Sequence, residues 1–501
     1  MIAAIDAVLN RVTMYRVALY YLGALIGAAI LFAALGWLPY APLAIGVSFV
    51  VASATCFAAN WAFVRAFDAA ASVESAWITA FILVLIMPPA ASPAAALSLA
   101  FVSLWAIASK FLIAWRGKHL ANPAAFAAAL SAFAIGLPAT WWVGGNLALA
   151  PLVILGGLLV VRKIRRFDLV AAFAVAALAA TAITTYGAAS LGAVPSSIDA
   201  TLLHSSFFFF AFVMLTEPAT TPPERGLRIL YGALVGILFA PSVHFGSLYL
   251  TPELALLAGN VFSFAISPKG RHRLTLLGVE KVARDTYDFV FAPDRAFSFR
   301  PGQYLEWTLP HRSPDSRGTR RYFTIASSPG EDEVRLGVKF YPEASSFKTA
   351  LAAMRPGEAV SAAALAGDFT LPRDLREKIA WIAGGIGATP FRSMAADLLA
   401  RGERRDIALL YAARSAADFA YKPLFDRAER ELGLRAAYLP SEGPGAAALD
   451  RATIAAQIPD WRARTFYLSG PQGMVESFAQ TLRSMGVPRR RIRTDFFPGF
   501  A

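Results

Sequence analysis

The chain is poor in residues that staple or metallate a domain. Its single cysteine in 501 residues, Cys56, lies inside an apolar run. No intramolecular disulfide framework is therefore available. Nor can this chain alone build an iron–sulfur cluster or a structural zinc site on four cysteines. Charge is scarce too, at 16% of residues against about 25% in soluble globular chains, and the mean hydropathy is +0.51. The net charge of +13 would suit nucleic acid. In the first half, however, Lys and Arg fall in short loops between apolar runs, which is a topology signal and argues against nucleic-acid binding. Histidine is limiting as well: His204 and His244 on one side and His119 on the other leave at most one axial pair for a haem-bearing transmembrane reductase. A redox-regulated transporter is a further alternative, resting on Asp199, Glu217 and Glu253 near the apolar runs. The first apolar run is long enough to span, and no A-x-A site is placed as a cleavable signal peptide would need, so none is expected.

What is present in quantity is membrane-length hydrophobic sequence. Runs recur at Val17–Trp37, Pro42–Val64, Ser75–Ala90, Pro93–Trp115, Ala124–Val143, Leu147–Val161, Leu169–Leu191, Leu202–Thr216, Ile229–Ser247 and Glu253–Ile266. They predict a polytopic all-α membrane domain of about ten transmembrane helices over residues 1–268. The basic residues alternate with these runs. Arg65, then Lys110, Arg116 and Lys118, then Arg162, Lys163, Arg165 and Arg166, then Arg225 and Arg228, and last Lys269, Arg271 and Arg273 fall on one side. Connections near Pro39, Ala91, Gly145, Pro195 and Leu250 lack Lys and Arg. The positive-inside rule then puts both termini in the cytoplasm of a bacterial-type inner membrane, with the lipid bilayer as an obligate partner.

Within this half, Lys118-His119-Leu120-Ala121-Asn122-Pro123 reads as a basic loop and a capped helix start, and such a terminus also favours an anion. Thr216-Glu217-Pro218-Ala219-Thr220-Thr221-Pro222 breaks the end of a span, as an ordinary proline-rich loop also would. Ser196 to Thr201 reads as an N-cap cluster. Taken in order, these segments resemble the membrane flavin subunits of two related respiratory complexes, the sodium-translocating NADH:quinone oxidoreductase and the Rnf complex, over roughly residues 15–268. The resemblance implies a membrane-domain FMN. That flavin is covalent if Thr201 matches the family's Ser/Thr-Gly-Ala-Thr threonine, although this chain reads Ile198-Asp199-Ala200-Thr201. It is noncovalent if it is held near Lys118, His119, Asn122, Glu217 and Thr220 alone.

After residue 268 the pattern becomes soluble. Short β-rich runs at Leu274–Val279, Tyr287–Phe291, Tyr304–Leu309, Tyr322–Ala326, Val334–Phe340 and Ala359–Ala363 predict an antiparallel β-barrel over residues 269–373. From residue 374 to 501, strand–helix alternation predicts an α/β parallel sheet: Lys378–Ala383 precedes a helix from Pro390, Ile407–Ala412 precedes Phe419–Leu432, and Thr465–Leu468 precedes Val475–Met485. Gly384-Gly385-Ile386-Gly387-Ala388-Thr389-Pro390 lies at a strand–helix junction, where glycines let the backbone approach a pyrophosphate.

Arg321-Tyr322-Phe323-Thr324, Gly384–Pro390, Ser469-Gly470-Pro471 and Asp495-Phe496-Phe497 occur in an order that resembles the ferredoxin–NADP reductase superfamily, over about residues 272–501. The resemblance implies a reductase module binding FAD and NAD(P)H. Arg321 would pair with the FAD pyrophosphate, with Ser345 and Ser346 on its other side. Phe323, where Tyr is usual, would stack on the isoalloxazine, and Thr324 would meet its N5 edge. Tyr322 lies in the same motif. Gly384, Gly385, Gly387, Thr389, Pro390, Gly470 and Pro471 would bind the nucleotide. Thr324, Ser469 and Phe497 are the candidate catalytic positions. Together the halves imply electron flow from NAD(P)H through FAD to the membrane FMN, then to quinone, an extracytoplasmic acceptor or a flavinylated partner protein. Arg414, after the second strand of the parallel sheet, could meet a 2′-phosphate or be a surface charge.

Overall fold

The computed structural model describes residues 2–9, 12–67, 73–115, 118–268, 270–315, 317–443, 446 and 449–495. The chain separates into two compact units, Met1–Lys269 and Gly270–Ala501.

The first unit is helical because its sequence offers little but apolar side chains to bury. Each expected span overlaps a helix or a broken helix, though not all at spanning length. Among the described residues, Met14–Ala34, Pro42–Ala66, Pro93–Leu112 and Phe167–Ala188 are long and apolar enough to cross a membrane. Leu191–Leu203 and Phe207–Met214, bent by 58°, would make a fifth if they form one span. The long helices leave large aliphatic side chains bare, with Leu43 77%, Leu97 75%, Val175 71% and Ile183 72% exposed. An apolar surface of this kind suits lipid better than water.

Two expected spans fall short of the membrane among the described residues. Val73–Ile86 and Pro123–Ile135 have 14 and 13 residues, about 20 Å each against a hydrocarbon core of about 30 Å. The segment following the second supplies what the first lacks. Thr140 and Trp141 donate backbone N–H groups to Ile86 O at 2.9 Å, and Trp142 Nε1 donates to Val84 O at 3.1 Å and Met87 O at 3.0 Å. Irregular backbone at such a place requires partners of this kind. Periodicity alone, which reads apolar length, could not see that these runs stop being helical partway.

In the second unit a six-stranded antiparallel sheet has the order β4-β3-β6-β1-β2-β5, with β1 His272–Ala283, β2 Thr286–Pro293, β3 Tyr304–Thr308, β4 Arg320–Thr324, β5 Val334–Lys339 and β6 Ala359–Ala366. It curls around Phe291, Trp307, Leu336 and Phe347. The expected barrel is thus a curled sheet. No β4–β5 ladder is formed among the described residues, and the edges are joined just beyond β4 by Ala326 N–H to Arg335 O, 2.9 Å.

A parallel five-stranded sheet follows, ordered β9-β8-β7-β10-β11, with β7 Ile379–Gly384, β8 Ile407–Ala413, β9 Arg435–Pro440, β10 Thr465–Ser469 and β11 Ile492–Asp495. Helices cover both faces, which explains why β7 is buried at every residue and reads as a continuous apolar run. Strand order reverses at β7. The chain steps outward to β8 and β9, then returns to the other side as β10, so the carboxyl ends of β7 and β10 border a crevice.

Candidate functional site

Alternation along β4 sorts the expected flavin residues onto two faces. Arg321 and Phe323 share one face and meet Phe347, the second residue of helix Ser346–Ala352. The Phe323 and Phe347 rings are 5.8 Å apart, and the Arg321 guanidinium lies 5.4 Å from the same ring. Tyr322 and Thr324 share the opposite face. Tyr322 Oη donates to Glu306 Oε2 at 2.6 Å, so its hydroxyl has a role within the sheet. Thr324 Oγ1 donates to Asp495 Oδ2 at 3.4 Å, joining the curled sheet to the end of the parallel one.

Ser345 caps its helix by accepting from Lys348 N–H at 3.3 Å. Ser346 Oγ accepts from Asp315 N–H at 2.9 Å, and Ser346 N–H donates to Asp315 Oδ2 at 3.2 Å. Arg321, Phe323, Ser345 and Ser346 therefore lie around one location, and a carboxylate already stands in it as an anion. That occupancy is the structural sign that these residues suit an acidic group such as a pyrophosphate.

The nucleotide motifs converge at the switch point. Ala383 pairs with Ser469 across β7 and β10, and Ser469 pairs with Asp495 across β10 and β11. A side chain added at Gly387 would place its Cβ 2.4 Å from Ser469 O and 2.5 Å from Gly470 Cα. Only glycine allows two backbone loops to approach so closely. Thr389 and Pro390 begin helix Thr389–Arg401 directly after the loop, and Gly470 and Pro471 precede helix Gln472–Ser484. Two helix starts thus face the same crevice, an arrangement suited to a dinucleotide's phosphates. Thr324, Ser469 and Asp495 stand at its edge, while Phe497 lies outside the described residues.

Asp495 is the residue whose importance the linear motif understated. Although the residue as a whole is part-exposed, its carboxyl sits deep among protein atoms, and burial pushes its pKa up to about 7; the Thr324 hydroxyl opposes the shift. Asp315 had no motif to mark it. At the sheet's outer edge, Arg414 faces Glu442 at 3.6 Å.

In the helical unit, three chain-distant segments meet. Asn122 Nδ2 donates to Glu217 Oε2 at 2.9 Å, and Thr220 Oγ1 donates to the same oxygen at 3.0 Å. Asn122 Oδ1 caps its helix through Ala125 N–H at 3.0 Å, while Asn122 N–H donates to Asn260 Oδ1 at 2.7 Å. Asn260 in turn donates to Tyr231 Oη at 3.0 Å. Asn122 and Glu217 line a cavity of about 770 Å³, counting the space open to solvent, together with Tyr15, Tyr21, Ser75 and Thr79. Lys110 Nζ donates to Ser75 Oγ at 3.0 Å and Thr79 Oγ1 at 2.8 Å behind that wall.

The other expected residues are placed differently. Lys118 and His119 form a two-residue bridge with Trp115 and Ala114. Thr201 is buried and donates its hydroxyl to Ser197 O at 2.8 Å within its own helix. Asn260 and Tyr231 were not legible as partners, since each is one polar group in an apolar helix.

Comparison with known proteins bears on the second unit. A family described as the oxidoreductase NAD-binding domain matches residues 381–480. An NADPH oxidoreductase of Mycobacterium tuberculosis is 31% identical over 248 residues, covering 48% of this chain and 63% of the relative. The reductase subunit of an aromatic O-demethylase from Amycolatopsis sp. is 29% identical over 232 residues, covering 44% and 68%. The crystal structure of an Amycolatopsis cytochrome P450 reductase is 27% identical, covering 45% of this chain and 69% of that one, with a TM-score of 0.41. The chain thus spans about two thirds or less of the length of these relatives. Its C-terminal half matches the ferredoxin–NADP reductase family.

Proposed function

We propose, from a C-terminal half of reductase type joined to an apolar helical unit, that the protein is a membrane-bound NAD(P)H-oxidising flavoprotein. It takes electrons from NAD(P)H through FAD to a flavin in the helical unit, and on to a quinone or an extracytoplasmic acceptor. The observation that carries this reading is the convergence of Thr324, Ser469, Asp495 and the Gly384–Pro390 loop on one crevice of the second unit.

FAD, when bound, supplies a two-electron acceptor able to release electrons singly or together. The chain's own residues do the positioning. The glycine loop and the two helix starts receive the nicotinamide dinucleotide's phosphates, and Gly387 keeps the crevice narrow. Phe323 offers an aromatic face beside Phe347, and Arg321 offers a buried cation. Thr324 Oγ1 and Asp495 Oδ2 form a hydrogen-bonded pair at the crevice edge. With its pKa near 7, Asp495 can hold a proton at neutral pH and exchange it there. Ser469, 3% exposed, fills the position between them and the glycine loop.

The cavity bordered by Asn122 and Glu217 supports the membrane flavin, because a mostly apolar cleft with a few convergent polar groups suits a flat heteroaromatic ring. Thr201 is the attachment point if that flavin, or a second one, is covalent. Basic residues at one end of the helices are partnered, with Arg16 on Glu74 at 2.9 Å, Arg162 on Asp6 at 2.7 Å and Arg228 on Asp168 at 3.0 Å. Their segregation in sequence supports cytoplasmic termini in a multi-pass topology.

Inside-out vesicles test the proposal: NAD(P)H should be oxidised with reduction of an acceptor in or beyond the membrane. Oxidation that proceeds only with soluble dyes would sink it. Flavin fluorescence of denatured protein on a gel, lost in Thr201→Ala, would establish covalent attachment; its absence from the wild type leaves the noncovalent form.

A further inference from the structure

The anion that Arg321 holds in this structure is the chain's own. Arg321 is 1% exposed. Nη1 donates to Arg317 O at 2.8 Å, Gly318 O at 3.0 Å and Arg320 O at 2.7 Å, and Nη2 donates to Asp315 Oδ1 at 3.2 Å. The other oxygen, Asp315 Oδ2, accepts from Ser346 N–H and from Arg317 Nη2, both at 3.2 Å. One carboxylate thus bridges Arg321 and Ser346, two of the groups assigned above to the FAD pyrophosphate.

Cationic side chains gather around this carboxylate. Arg317, Arg321 and Lys348 all act on it or on one another. Burial, with Arg317 and Arg321 adding repulsion, pushes the Lys348 ammonium down to about 8. Burial alone would raise the Asp315 pKa, but the Arg317 N–H and the Arg321 and Arg317 charges outweigh it and hold the carboxyl below its ordinary range. Arg317, Arg321 and Lys348 thus group cationic side chains around the Asp315 carboxylate, the kind of surrounding a diphosphate requires.

The carboxylate is carried on a tight turn. Gly318 N–H donates to Asp315 O at 2.9 Å, with Gly318 at φ +67, and Arg317 N–H donates to Asp315 Oδ1 at 2.8 Å. His311 Nε2 lies 3.0 Å from Ser346 Oγ, so His311 and Asp315 both touch Ser346.

We infer that Asp315 is a resident placeholder: its carboxylate fills the Arg321–Ser346 anion site until FAD binds and is then displaced by the FAD pyrophosphate. This rests on the reading of Arg321 as a pyrophosphate ligand. The physical advantage is that a buried guanidinium without an anion is costly, so the carboxylate keeps the flavin-free fold intact. The consequence is competition, because apparent FAD affinity falls by the fraction of molecules in which the site is open.

The test uses full-length protein in detergent, stripped of flavin and titrated with FAD while flavin fluorescence is followed. Asp315→Asn keeps the shape of the turn but removes the charge, and should bind FAD about five- to twentyfold more tightly, with faster association. Affinity equal to or weaker than the wild type would overturn the proposal and make Asp315 an orienting partner of Arg321 in both states. A second readout needs no variant: FAD should increase tryptic cleavage after Arg317 in the wild-type chain, and cleavage unchanged by FAD counts against the movement. Arg321→Lys separates this proposal from its premise, since FAD affinity unchanged by that substitution removes Arg321 from the flavin site whatever Asp315 does.

Discussion

The two units handle buried polarity in opposite ways. In the helical unit, Asn122, Glu217, Thr220, Asn260 and Tyr231 come from distant segments and satisfy one another through side chains. In the reductase-type unit the site is built at strand ends, where backbone N–H groups and helix starts face a crevice and a few side chains mark its edge. The first kind of site depends on several helices arriving in register. The second has a local nucleus, because a strand, a glycine loop and a helix start lie within about a dozen residues, and Thr324, Ser469 and Asp495 are brought to it by neighbouring strands. This difference predicts which substitutions will be severe and where their effects will stop.

The largest effect is expected at the close backbone approach. Gly387→Val would drive side-chain atoms into the Ser469–Gly470 backbone, which cannot turn aside as a side chain can. We expect overpacking of about 2 kcal/mol, appearing as a rise of about thirtyfold in KM for NAD(P)H with FAD retained. Unchanged KM in steady-state assays would mean that the two loops are not the nucleotide crevice.

Glu217→Ala probes the other style of site. It leaves the Asn122 amide and the Thr220 hydroxyl without their acceptor and should cost about 2 kcal/mol in the helical unit. Thermal unfolding in detergent, followed by tryptophan fluorescence, should show a lowered midpoint, and Glu217→Gln should lose less. Equal losses in both variants would indicate that charge, not hydrogen bonding, matters at this position.

Thr324→Val removes one hydrogen bond at the junction of the two sheets. Flavin reduction in stopped flow should slow by about tenfold with FAD content unchanged, the scale of a single hydrogen bond. Loss of FAD instead would make Thr324 a binding residue and not one that tunes the reaction.

A pH effect should follow from Asp495. Its pKa in the folded protein, about 7, lies above the ordinary 3.8, so the native state binds the proton more tightly than the unfolded state does. Its contribution is therefore fully favourable below about pH 4 and is lost as pH rises to about 7. Asp495→Asn should flatten the stability profile of the second unit between those values. A profile identical to that of the wild type would show that the carboxyl is solvated.

The smallest effect is expected at the rim. Glu442 partly cancels Arg414, but both are well exposed, so Glu442→Gln should raise the NADPH-to-NADH ratio of kcat/KM by only about threefold. No change would leave Arg414 as a surface charge.

The legibility of the two sites followed the same division. Gly384–Gly387 and Ser469–Gly470 stood out because the close approach of two backbone loops requires glycine, and glycine is visible in the sequence. Lys118, His119 and Asn122 looked equivalent in sequence, yet Asn122 joins the Glu217 network while Lys118 and His119 lie on a short bridge. Asp315 could not be read at all, since an aspartate in a turn has the same sequence signature whether it faces water or a buried arginine. Apolar length located the helices, but hydropathy does not report where helical hydrogen bonding gives way to the Trp141–Trp142 segment.

By itself, the sequence determined that the chain has an apolar helical half and a strand-rich half dividing near residue 269. It also determined that the second half alternates into a parallel sheet with a glycine loop after its first strand. Those features follow from composition, periodicity and backbone sterics, which act over a few residues. Only the tertiary structure decided that Thr324 meets Asp495, that Asn122 and Asn260 share a network with Glu217, and that a carboxylate from a turn already occupies the site of Arg321. These contacts join residues far apart in the chain, so they exist only once packing has fixed where each strand and helix ends.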